Sequence, residues 1–193
     1  MTRKSVALSV VICLTLAMLC GCGKKEVKPL DVPPLAAGDS SQRYVDDELR
    51  FYFDFPPDWK QFDQLKDTAD GRIILISPFE GQEVPKLSIS VLAKEFGKVE
   101  AQIDDAFLGE TRKKYEAEGQ AVLEIAKGQV KDKYPAIVAK TSKQVGIHTV
   151  ITKQIIFIAG KRLFIVTLQG RSDLYEKMGT ALNYFFDRLT IKD

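Results

Sequence analysis

Few residues in this chain of 193 could do chemistry, and the cysteines come first. Cys13, Cys20 and Cys22 all lie near the N-terminus. Leu19-Cys20-Gly21-Cys22 sets an aliphatic residue, a small residue and a glycine before a cysteine, which is the lipobox pattern. The chemistry of such a site is transfer of a diacylglyceryl group to the Cys22 sulfur, followed by cleavage of the peptide bond before it. Cys22 then becomes the first residue of the mature chain and its lipid anchor. Cys20 fits less well, because the bulky Leu19 stands where the peptidase needs a small side chain. Arg3 and Lys4 form a basic start, and Val6 to Leu19 is apolar apart from Ser9, Cys13 and Thr15. That run is shorter than the about 20 residues a bilayer core requires, and with its basic start it reads as a signal peptide. An ordinary secretory leader or a short uncleaved anchor is the alternative. Each buried methylene adds roughly 0.8 kcal/mol, so two or more acyl chains hold where one does not. Gly23 rather than an aspartate follows Cys22, which in a Gram-negative host directs the chain to the outer membrane.

The other reactive residue types exclude more than they suggest. With Cys22 lipidated the mature chain keeps no thiol, which removes a disulfide framework, a thiol nucleophile and a cysteine metal site. His148 is the only histidine. No Gly-x-Ser-x-Gly elbow accompanies it, and zinc needs several His or Cys ligands, so neither a catalytic residue nor a metal or cofactor site is expected. The acidic clusters Asp46-Asp47-Glu48 and Asp63, Asp67, Asp70 lack the spacing of a calcium loop. The first is expected to close a hairpin and the second to solvate a loop. Paired carboxylates for glycoside hydrolysis are a tertiary arrangement that sequence leaves open. No phosphate loop or dinucleotide fingerprint is present.

Charge is balanced overall and divided along the chain. The formal net charge of +2 includes Arg3 and Lys4, so the mature side chains sum to zero. Nucleic acid is therefore not an expected partner of an exported protein like this one. Residues 44–120 carry 10 basic and 17 acidic side chains, and residues 121–193 carry 12 and 6. Between Lys127 and Arg162 eight basic residues face Asp132 alone. Such a stretch can mark a binding surface; its bland reading is a set of solvated strand faces. Lys140, Lys143, Lys153 and Lys161 are the candidate contact residues.

The elements that must position these residues follow from periodicity. The expected division is a signal peptide over 1–21, a flexible tether over 22–42 and one domain over 43–193. The tether carries Pro29, Pro33 and Pro34 without apolar periodicity and reaches about 60 Å when extended. Arg43 to Val45 and Leu49 to Phe55 read as strands, with Phe51, Phe53 and Phe55 on one face. Pro56-Pro57 ends the second, and Trp59 is expected to plug the core. Residues 60–70 suggest a helical turn, Ile73 to Ile76 a buried strand, Ser77 to Pro85 a loop and Leu87 to Ala93 a half-buried strand. Val99 to Glu118 reads as a helix with Val99, Ile103, Ala106, Phe107 and Tyr115 as its stripe, ended by Gly119. Ala121 to Val130 and Tyr134 to Ser142 follow as strands, then a hairpin of His148 to Ala159 and Lys161 to Gln169. The last helix opens at Ser172 as N-cap and presents Leu174, Met178, Ala181, Leu182, Phe185 and Leu189 within an arc of about 100°. Short connections demand antiparallel pairing. The expected class is α+β, an antiparallel sheet flanked by helices in an α/β/α sandwich.

On these elements the chain resembles the PsbP/Mog1/DcrB-like superfamily over residues 43–191. The likeness rests on the aromatic strand pair from Tyr44, the corner Phe55-Pro56-Pro57-Asp58-Trp59, the meander whose last strand reads Arg162-Leu163-Phe164-Ile165-Val166, and the closing helix that ends in aromatics. The resemblance implies the fold. That superfamily holds a photosystem II extrinsic subunit, a GTPase-binding import factor and envelope lipoproteins, so it implies no single activity and assigns no functional residue here. The expectation is a membrane-anchored envelope lipoprotein whose non-catalytic domain binds a protein partner. The alternatives are a carrier of a small apolar or lipidic ligand, which needs a cavity of about 300 Å³, an enzyme working around His148 or the acidic loops, and, in a photosynthetic host, a photosystem II extrinsic subunit.

Overall fold

A computed structural model describes residues 27–62, 71–78, 87–95 and 103–192. Cys22, the expected signal peptide and the Asp63, Asp67, Asp70 cluster lie outside the described residues. In chain order the elements are β1 (Gln42–Asp46), β2 (Phe51–Phe55), β3 (Lys60–Phe62), β4 (Arg72–Ser77), β5 (Leu87–Glu95), helix α1 (Asp105–Ala117), β6 (Ala121–Val130), β7 (Tyr134–Val145), β8 (His148–Ala159), β9 (Arg162–Arg171), helix α2 (Tyr175–Arg188) and β10 (Thr190–Ile191). They form a seven-stranded sheet in the order β3-β4-β5-β9-β8-β7-β6 and a three-stranded sheet β1-β2-β10. All pairings are antiparallel, as the short connections require.

The small sheet and α2 cover one face of the large sheet, and α1 stands on the other. Phe51 and Phe53 from β2 meet Phe164 of β9 and Phe185 of α2, with ring centroids 5.3 and 4.9 Å apart. Phe157 of β8 stacks on Phe164 at 5.1 Å. All five rings are buried. Each contributes roughly 2–3 kcal/mol through apolar burial, and edge-to-face or offset pairs add to that. Trp59 is buried against this core, and its backbone N–H donates to the Pro56 carbonyl at 3.0 Å. The expected core plug is in place.

Several elements differ from the sequence reading, each for a physical reason. Of residues 60–70, where a helical turn is expected, 60–62 form the edge strand β3, because pairing with β4 satisfies their backbone; 63–70 lie outside the described residues. Ser172 caps no helix: Ser172–Leu174 is a turn of 3-10 helix, and α2 begins at Tyr175 without a side-chain cap. Helix α1 begins at Asp105, with Asp104 accepting from the Phe107 N–H at its N-cap. Of its expected stripe only Tyr115 is buried among the described residues, joined by Thr111; Ala106 is exposed. β10 was not expected, since two residues carry no period.

Residues 28–41 have no regular structure, yet they are held against the domain. Leu30 is buried and its N–H donates to Asp47 Oδ1 at 2.6 Å. The Lys28 carbonyl accepts from Arg50 at 2.8 Å, and the Pro33 carbonyl accepts from Arg43. Ser41 is buried beside the Tyr184 hydroxyl.

Candidate binding surfaces

Strand register decides where the four candidate lysines go. Lys140 on β7 lies directly across from Lys153 on β8, so the two share a face. Like charges so placed repel. Glu124, across from Lys140 on β6, offsets this, and Lys140 Nζ lies 4.1 Å above the Tyr175 ring, a cation–π contact. Lys143 is an odd number of residues from Lys140 and points to the opposite face, where its Nζ donates to the Glu118 carbonyl at 2.9 Å. Lys161 is in the β8–β9 turn, eight residues and roughly 25 Å along the strand from Lys153. The structure joins Lys140 with Lys153 and separates Lys143 and Lys161 from them.

The hairpin carrying three of these lysines overhangs its neighbours. β6 pairs with β7 up to Ser142, and β9 pairs with β8 up to Val150. Beyond those points β7 and β8 pair only with each other, closing at Val145 and His148. Gly146 takes a φ of 58°, the conformation that the first position of a type II′ turn requires of glycine. Ile147 then projects at the tip, 89 % exposed, with Val145 39 % exposed beside it. This apolar tip was not foreseen. Its signal was the Val145-Gly146-Ile147 break between two alternating runs, which fixes a turn but not its protrusion.

A second feature lies under α1. Tyr115 donates to Gln154 Oε1, and Gln154 Nε2 donates to Thr167 Oγ1 at 2.8 Å. This chain ties the helix to the middle of the sheet and divides two adjoining clefts. One, of about 330 Å³, is polar and includes Lys114, Glu118, Lys143, Thr152 and Gln169. The other, of about 270 Å³, is lined by Phe107, Thr111, Ile156, Leu163 and Ile165. Burial, and secondarily the charge of Glu118, push the Tyr115 hydroxyl up to about 12, so it remains a donor at physiological pH.

The remaining sites are structural. Asp46 has no exposed side-chain surface and is gripped by Arg72 Nη1 through both oxygens, at 2.8 and 2.7 Å. It also accepts from the Leu49 N–H at 2.8 Å, closing the expected hairpin turn. His148 is half-buried beside the turn at the hairpin tip, in the closing pair with Val145. Asp173 beside it is held below the usual carboxylate range, first by its hydrogen bond from Arg171. Among the described residues no three His, Cys, Asp or Glu side chains converge where a metal could sit, and no helix is long and apolar enough to cross a membrane.

No family model and no curated protein matches the sequence. Solved structures do match in shape. The solution structure of cyanobacterial PsbP (CyanoP) from Synechocystis sp. PCC 6803 superposes with a TM-score of 0.59 at 13 % identity, over 83 % of this chain and 98 % of that one. A Bacteroides thetaiotaomicron VPI-5482 crystal structure gives 0.53 at 11 % identity, over 80 % of this chain and 50 % of that one. LpqN of Mycobacterium tuberculosis, described as involved in cell envelope biogenesis, gives 0.46 at 15 %, over 81 % and 87 %. The likeness is one of fold: the domain has a PsbP-like α+β fold, as the aromatic opening and the closing helix implied.

Proposed function

We propose that this chain is a lipid-anchored cell-envelope module that acts by binding a protein partner, without catalysis, through the overhanging β7–β8 hairpin. The observation that carries this reading is Ile147, an isoleucine 89 % exposed at the tip of a paired strand extension. An apolar side chain there contributes nothing to the core and gains from burial only against another molecule. Lys143 and Lys153 flank the approach to the tip, which suits a partner with acidic groups around an apolar pocket. Lys161, at the far turn, is outside this surface. Cys22 supplies the membrane attachment, in the outer membrane if the host is Gram-negative. The test places a photo-cross-linking residue at position 147 in cells, with position 123 on β6 as control. The reading predicts a discrete adduct from 147 that weakens when Lys143 and Lys153 are changed to Glu. Equal, diffuse labelling from both positions contradicts it.

A second reading is supported by the clefts under α1. Their size suits a small amphiphile, with its apolar part against Ile156 and Ile165 and its polar part toward Thr152 and Gln169. Native mass spectrometry of protein gently extracted from its host would show the ligand mass, lost in Ile156→Trp. A bare protein mass throughout removes the carrier reading.

A further inference from the structure

We infer that the end of the domain carrying the β6–β7 and β8–β9 turns lies against an anionic lipid bilayer, with the hairpin tip directed away from it. The inference rests on the anchor proposed at Cys22. Five residues, 23 to 27, separate Cys22 from Lys28, and among the described residues Lys28 is the first tied to the domain, through its carbonyl. The six steps from Cys22 to Lys28 span at most about 22 Å. The anchor therefore draws one particular end of the domain to the headgroups.

Hydrogen bonds to backbone carbonyls gather the cations of that end. Arg50 donates to the Lys28 carbonyl at 2.8 Å, the Lys192 N–H donates to the Arg50 carbonyl at 2.9 Å, and Arg162 donates to the Leu49 and Lys192 carbonyls at 2.7 and 2.8 Å. Lys161 precedes Arg162 in the turn. Lys131 in the β6–β7 turn reaches the Asp187 carbonyl at 3.5 Å, and Lys133 Nζ lies 5.0 Å over the Tyr134 ring. Lys28, Lys131, Lys161 and Lys192 are exposed. Among the described residues, the acidic groups at this end are Asp132, Glu95 across from Arg162, Asp187, Asp47, which holds the Leu30 N–H, and Glu48, ion-paired with Arg72. Lys24 and Lys25 lie between this end and the anchor. Each cation near an anionic surface adds a weak attraction, and the anchor supplies the proximity that makes it effective. β7 then runs from this end for 12 residues to the tip, roughly 40 Å, which places Ile147 on the far side of the domain.

The test attaches the mature chain, starting at Cys22, through that thiol to a maleimide lipid, so its outcome is independent of whether cells lipidate the residue. Vesicles contain phosphatidylcholine alone, or phosphatidylcholine with 30 % phosphatidylglycerol (a chosen composition, roughly physiological for anionic surfaces). Amine-reactive footprinting then reads each lysine. Labelling of Lys131, Lys161 and Lys192 is expected to fall at least threefold in the anionic vesicles and to recover in high salt, while Lys143 and Lys153 stay unchanged. Lys161→Glu with Lys192→Glu should restore the labelling of Lys131. Equal labelling in both vesicle types, or protection of Lys143 and Lys153 instead, overturns the inference. Finding Cys22 unmodified in the host would overturn the anchor and leave this measurement intact.

Discussion

At the scale of single residues, the sharpest dependences belong to side chains that sequence could not pair. Arg72 is the partner of a carboxylate with no exposed surface. Arg72→Met leaves Asp46 charged and buried, which costs about 3 kcal/mol. Urea unfolding should show that loss, and a change below about 1 kcal/mol would mean water reaches Asp46 readily. Tyr115 sets an alkaline limit. Its hydroxyl is raised from 10 to about 12 in the folded domain, so its contribution to stability is complete below pH 10 and is lost as pH rises toward 12. Denaturation midpoints should fall over that window, and less steeply in Tyr115→Phe. Tyr44 is raised too, by burial and then by Asp46, so some decline persists in the variant. The reading of Cys22 rests on four adjacent residues and needs no fold to state it. The Tyr115–Gln154–Thr167 chain was not legible, because its members are 39 and 13 residues apart.

Elements were legible where they carry a period of their own. The alternation in β5 and the two-faced apolar runs of β8 and β9 predicted central strands, and the register confirms it: Val91 lies across from Val166, and Ile155 across from Val166 on the other side. The short strands β3 and β10 exist only through their pairing partners, so no local signal announces them. Helix α1 misled in the opposite way. Its apparent stripe faces clefts and solvent more than core, and it leans on the sheet through Tyr115 and Thr111. A tighter dependence sits at the start of β4. Gly71 has a φ of 133°, and a Cβ there would come 2.7 Å from the Ala93 carbonyl oxygen. Gly71→Ala combines strain with a backbone clash and should cost roughly 1–3 kcal/mol, read as a lowered melting temperature. An unchanged melting temperature would show that β4 and β5 separate easily.

For the whole molecule, an aromatic core joins the two sheets and α2, and the proposed attachment and the hairpin tip would lie at opposite ends of it. Cys22→Ser alters nothing in that core. The variant should fold with an unchanged melting temperature yet leave the membrane fraction. The most direct check on the anchored reading is the mass of the N-terminal peptide of the protein extracted from its host membrane. The expected result is a chain that begins at Cys22 with a diacylglyceryl thioether on its sulfur. A chain that retains Gly21 and the residues before it, or an unmodified Cys22, would contradict the account.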